Sequence, residues 1–336
     1  MKVFMSSKQF PVFLHLLADK QLRPGAVLLD APSEAQPDAL LLVAQHPDFL
    51  AFSAKFPCVL LQQKASLFSD LQLQALHDAG CQWVEESVVF RSDALTRPVL
   101  PARALWLDGN WVTAPPSKPT TGQSASRVLA LKLVQLVVED ADTRDIENVF
   151  RQDPTLSYHL LKLVNSLGMG ASRRITSFSQ AILMLGRQQL RRWLNLMLFS
   201  ARDDDHRAAM LQARVTWRAR RLELLAKQLG LDRSDQELAF MAGMFSMLGI
   251  LFGLSLPEVF KPLKISDVLD AAVLRFEGEI GCLLRLCECA ERHDVTTLGG
   301  LLDGLGITHS NFNLINLQAC HWMVDIVCEK QGGSHD

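Results

Sequence analysis

Residues 153–199, DPTLSYHLLKLVNSLGMGASRRITSFSQAILMLGRQQLRRWLNLMLF, carry the reading that decides the fold of this 336-residue chain. Asp153 followed by Pro154 predicts a helix start, because the Asp side chain accepts free N–H groups of the first turn and Pro loses nothing at the first helical position. Leu156, Leu160, Leu163 and Val164 then repeat at helical spacing and form one apolar stripe. After the turn containing Gly168, Gly170, Arg173 and Arg174, Ser177 or Ser179 is placed to cap a second helix that carries Ala181, Ile182 and Leu185 up to Gly186. A third helix puts Leu190, Trp193, Leu194 and Met197 on its buried side. Three packed helices are predicted.

Outward from this stretch, helical patterns fill the chain from Ser124 onward: 126–140, 143–151, 208–229, 235–252, 266–275, 279–291 and 310–330. Gly230 reads as a helix stop, and Ser266 and Ser310 as N-caps. Before the helical part, short apolar runs at 26–29, 58–61, 82–84 and 104–107 alternate with helical patterns at 37–45 and 69–79, which predicts parallel strands with crossover helices. Four such strands are too few for a closed eight-stranded barrel. The expected fold class is two-domain and mainly α: a small α/β domain over 1–114, a linker rich in Pro, Ser and Thr over 115–123, and an all-α domain over 124–332.

Composition bounds the function classes. With 49% apolar and 21% charged residues the chain buries a sizeable core, and 34 basic against 36 acidic residues give no nucleic-acid signature. Seven cysteines (Cys58, Cys81, Cys282, Cys287, Cys289, Cys320 and Cys328) form an odd set with no CxxC pair, so buried thiols of a cytoplasmic protein are expected rather than a disulfide framework. The first twenty residues lack the pattern of a signal peptide. Residues 238–256 contain no charge, which raises a membrane span; glycines and serines dilute the run, and a buried, broken helix is expected instead.

The run Asp153-Pro154-x-Leu156-Ser157-x-x-Leu160-Leu161 with Asn165-Ser166, followed by Ile175-x-Ser177 and Ala181-Ile182-x-x-Leu185-Gly186, resembles the signature of the HDOD domain, a bacterial all-helical signalling module related to the HD metal-dependent phosphohydrolases. The segments around Leu190–Leu198 with Trp193, Arg218–Ala226 and Ala239–Leu248 resemble the branch in which an HDOD domain follows an EAL domain, and the α/β half is then a shortened, degenerate EAL-like region. The signature residues Asp153, Pro154, Leu156, Leu160, Asn165, Ser166, Ala181, Leu185, Gly186 and Trp193 are expected to act as architecture.

The resemblance also says where catalysis should sit. The HD ligand positions fall in Thr216–Arg220, which has no His, and at Phe245-Ser246, where neither side chain replaces a His-Asp pair; a metal site is therefore read as erased. The His293-Asp294 dipeptide reads as a helix end, and Cys282, Cys289 and His293, though on one helical face, are too spread for one zinc ion; buried thiols and a solvated imidazole are expected. Asp30, Glu85, Glu86 and Asp108 follow the predicted strands, where parallel-sheet enzymes place carboxylates, yet the Glu-x-Leu-x-Arg motif of EAL phosphodiesterases is missing. Arg173, Arg174, Arg191, Arg192 and Arg218 form a candidate anion or ligand patch.

These readings lead to an expected non-enzymatic, cytoplasmic signalling protein that works through contacts with other signalling proteins, without a catalytic residue, metal or cofactor, a membrane span or a nucleic-acid partner. The alternatives are a metal-dependent phosphodiesterase and a cyclic-dinucleotide (cyclic di-GMP) sensor.

Overall fold

The structure is a computed structural model that describes residues 10–32, 36–94, 96–114, 205–261 and 265–331, with 132, 133, 135, 136, 139 and 141–151 between them. The deciding stretch at 153–199, the linker at 115–123, all ten signature residues and Arg173, Arg174, Arg191 and Arg192 lie outside the described residues.

The N-terminal part is a six-stranded sheet: β1 (Phe13–Ala18), β2 (Pro24–Asp30), β3 (Cys58–Leu61), β4 (Cys81–Val84), β5 (Val89–Arg91) and β6 (Trp106–Asp108), in the order β4-β3-β2-β1-β6-β5. The first strand runs antiparallel to both its neighbours, and the other pairings are parallel. Strands β1 and β2 form a hairpin because Asp19 closes the turn, its Oδ1 accepting from the N–H groups of Gln21 and Arg23 at 2.8 Å each. Two strands exceed the sequence reading. The residues of β1, FLHLLA, are apolar at nearly every position and show no alternation, while β5 has only three residues.

The sheet must curl. Its two edge strands, β4 and β5, are consecutive in sequence, so five residue steps from Val84 to Val89 bridge them, reaching at most ~18 Å. A flat sheet of this size would hold its edges about 24 Å apart. On the enclosed face Leu17, Ala26, Leu28 and Val59 are buried, with Leu61, Val84, Val89 and Trp106 packed around them. Helices α1 (Gln36–Ala44), α2 (Pro47–Ser53) and α3 (Asp70–Asp78) belong to the outer layer, and Ser69 caps α3 through a reciprocal Ser–Gln capping box.

The remainder is helical: α4 (Thr143–Arg151), α5 (Ala208–Gln228), α6 (Arg233–Phe245), α7 (Leu248–Phe252), α8 (Leu256–Phe260), α9 (Asp267–Arg275), α10 (Gly278–Glu291), α11 (Val295–Gly304) and α12 (His309–Gln331). The apolar run 238–256 is broken into α6 and α7, with Gly253 in the left-handed conformation and Ser255 capping α8. No described helix is long and apolar enough to cross a membrane. Helix α5 packs against α6, α10 and α12, while α10 and α12 also contact β1, so one apolar core is continuous from sheet to helices.

Candidate functional site

The open end of the curled sheet is where the two parts of the chain build a cavity of about 420 Å³, within the range of small-molecule sites. In β1, Phe13 and His15 alternate onto the same face as Leu17, the enclosed face. The antiparallel β1 begins where the parallel strands finish, with Phe13 opposite Asp30. Asp30, Arg91 and Asp108, the last residues of β2, β5 and β6, therefore stand at this end, the edge at which parallel sheets carry their ligand sites. The end of α10 covers it.

His15 is the centre of the sheet side of the cavity. Its Nδ1 faces Asp108 Oδ2 at 3.7 Å, and Arg91 Nη1 stands 3.8 Å from the same oxygen. Burial alone would raise the Asp108 pKa, but the His15 contact, the Gly109 amide and the Arg91 charge outweigh it and hold the carboxyl down at about 2. An anionic Asp108 facing Nδ1 favours a proton on that nitrogen. The Nε2 of the same ring is buried and has no hydrogen-bond partner among the described residues. His293 stacks on the His15 ring at 3.9 Å with an interplanar angle of 13°, and Phe13 meets His293 edge-on at 5.0 Å. Burial, then the neighbouring His15, pushes the His293 pKa down to about 4, so its ring is neutral near pH 7. The solvated imidazole expected from sequence is instead a packed one.

The helical side is a wall of guanidinium groups. Arg218 donates from Nε to Glu291 Oε1 at 3.0 Å, pairs through Nη2 with Glu291 Oε2, and donates from Nη1 to Ser246 Oγ at 2.9 Å. Burial opposes both charges, yet each partner sustains the other: Arg218 holds the Glu291 carboxyl below its ordinary range. Arg221 lies over the Trp217 ring at 5.1 Å. Arg214, Arg292 and Glu288 complete the wall. Five guanidinium groups thus face the three carboxylates Asp108, Glu288 and Glu291, an excess of two positive charges among these groups.

Arg218 and Ser246, which lie in the two segments where the resemblance would put HD ligands, come together, and Arg218 is held there by Glu291. A guanidinium in that position would repel a metal cation, so these residues do not fit a metal. Nor do the strand-end acids form a ring: Asp30 is paired with Lys64, Asp108 with His15 and Arg91, and Glu85 with the Ser87 hydroxyl, so no described cluster suits a metal ion. The described thiols are free and mostly buried, and burial raises those of Cys81, Cys287 and Cys320 to about 12, which removes them as nucleophiles.

The α/β and helical parts thus enclose an electropositive cavity at the strand ends. Comparison with known proteins adds the lineage: residues 125–264 match the HDOD domain, and the chain carries that domain. It is 30% identical over 204 residues to "Cyclic di-GMP phosphodiesterase CdgJ" of Vibrio cholerae, covering 60% of this chain and 47% of that one. It is 27% identical over 177 residues to "Uncharacterized protein YuxH" of Bacillus subtilis, covering 51% and 42%. The chain therefore spans less than half the length of either relative. A solved structure from Shewanella amazonensis, described as a candidate phosphohydrolase, covers 60% of this chain and 92% of its own at 17% identity and a TM-score of 0.42, too low to carry an argument. The expectation of a non-enzymatic protein acting only through protein contacts is corrected here, because a relative at 30% identity is named a phosphodiesterase. That expectation rested on reading the HD ligand positions as lost, which concerns one expected metal site and not the cavity.

Proposed function

We propose that this chain binds a cyclic dinucleotide of the cyclic di-GMP type in the cavity between sheet and helices and hydrolyses one of its phosphodiester bonds. The observation that carries the reading is the buried His15 Nε2, unpartnered among the described residues, backed by Asp108 and facing a wall with two surplus positive charges. Those charges match the two phosphodiester groups of such a ligand. The name of the Vibrio relative supports the substrate class, and the EAL-like reading of the N-terminal half, with acids at the ends of parallel strands, belongs to the same proposal.

In this scheme water adds to phosphorus, its proton passes to His15 Nε2, and the bond from phosphorus to the ribose 3′-oxygen breaks; the departing oxygen takes a proton from solvent. Asp108 orients the imidazole and stabilises it once charged. The full-length chain is to be incubated with cyclic di-GMP in chelator, in Mg²⁺ and in Mn²⁺, with the linear dinucleotide separated by anion exchange. Turnover is expected, and H15Q should lower it by about 100-fold or more. Absence of linear product under all three conditions, with or without binding, would overturn hydrolysis.

A further inference from the structure

Helix α5 sets Arg214 one turn before Arg218 on the same face, and the two guanidinium groups differ in what they meet. Arg218 is engaged from Nε, Nη1 and Nη2 by Glu291 and Ser246. Arg214 lines the cavity, donates from Nη2 to the Gly109 carbonyl at 2.6 Å, and forms no ion pair among the described residues. The nearby carboxylates are already engaged, Glu291 by Arg218 and Asp108 by His15 and Arg91. One neutral carbonyl offsets little of the cost of drawing a guanidinium out of water.

The carbonyl itself is rigidly presented. Gly109 has φ 108°, and a Cβ there would meet the Ser92 carbonyl oxygen at 2.2 Å, so the turn after β6 tolerates no side chain. The next amide, Asn110 N–H, is tied to Asp93 Oδ1 at 2.8 Å. An arginine has five N–H donors in a planar fork suited to phosphate oxygens, and this one faces a cavity with surplus positive charge.

We propose that Arg214 is the phosphate anchor of the cavity: a phosphate ester takes the donors that Gly109 leaves free and, while bound, ties helix α5 to the turn after β6. The inference rests on the proposed function for the choice of cavity, and it requires binding, not turnover.

The test is calorimetric titration of the full chain with pyrophosphate and with cyclic di-GMP, in chelator and at several salt concentrations. R214Q keeps a donor for Gly109 without the charge, R214K keeps the charge without the fork, and R285A alters an exposed arginine of α10 outside the cavity. Wild type and R285A should bind alike; R214Q should bind about tenfold or more weakly with a shallower salt dependence, and R214K should fall between. No binding by wild type, or folded R214Q or R214K with unchanged affinity, overturns the anchor. Hydrolysis that persists with unchanged affinity in R214Q defeats this inference alone, whereas Arg214-dependent binding without any linear product defeats hydrolysis alone.

Discussion

His293 shows how a single residue can be read correctly for its place and wrongly for its surroundings. It has φ 57° just past the end of α10; the Asp294 N–H returns to the Cys289 carbonyl at 3.0 Å and its own N–H to Ala290 at 3.3 Å. This is the left-handed Schellman ending, usually made with glycine. Asp294 then caps α11, accepting from Thr297 N–H at 3.0 Å. The His293-Asp294 dipeptide is thus a helix stop followed by a helix start. What the local sequence could not show is why histidine replaces glycine: the ring stacks on His15, 278 residues away by number. A prediction follows from the depressed pKa. The unfolded chain binds a proton on His293 below about pH 6.5 and the folded chain only below about 4, so stability falls as pH drops through that window. Asn tolerates the left-handed conformation, and in H293N this loss should vanish. Urea midpoints from pH 7 to 4 should show the wild-type advantage shrinking with acid; a constant difference would mean that the imidazole is not held neutral.

At the scale of elements, α5 was legible and its crossings were not. The boundaries of this helix follow from its pattern and from Gly230, but 218–221 are charged or small and say little about packing. In the structure α5 meets α6 at Gly243, where a Cβ would lie 2.6 Å from Ala219 Cα and 2.9 Å from its nitrogen. Backbone cannot yield as a side chain can. G243A should therefore cost about 1–3 kcal/mol in urea denaturation, whereas G300A, with nothing within 4 Å in α11, should be neutral or stabilising. Equal midpoints for the two variants would refute the close crossing. The same approach of α5 and α6 puts Arg218 against Ser246, where it also reaches Glu291 from α10.

Across the whole molecule, the sheet and the helices share one apolar core. Asn313 of α12 bridges them, accepting from Val12 N–H at 2.8 Å and donating to the Phe10 carbonyl at 3.1 Å. Lys55 beside α2 pairs with Asp325 at 3.0 Å, and His321 lies between Asp48 and Asp325 at 3.6 Å from each. N313L leaves a buried backbone amide unpaired, and should lower stability by about 1–3 kcal/mol. Tryptophan fluorescence and far-UV circular dichroism should still report a single urea transition, since the core is continuous. An unshifted midpoint would show that the bridge contributes nothing.

The sequence by itself determined the helical identity of the C-terminal part and the α/β character of the N-terminal part, because periodicity, caps and residue chemistry are local properties. It also marked Asp30 and Asp108 as strand-end acids. Tertiary structure alone decided which of these matter. Curling of the sheet brings the ends of β2, β5 and β6 to one mouth with the start of β1, and docking of α5 and α10 sets His293, Arg214 and Arg218 across from His15. The partners come from opposite ends of the chain, and their pairing is fixed by burial of a common core.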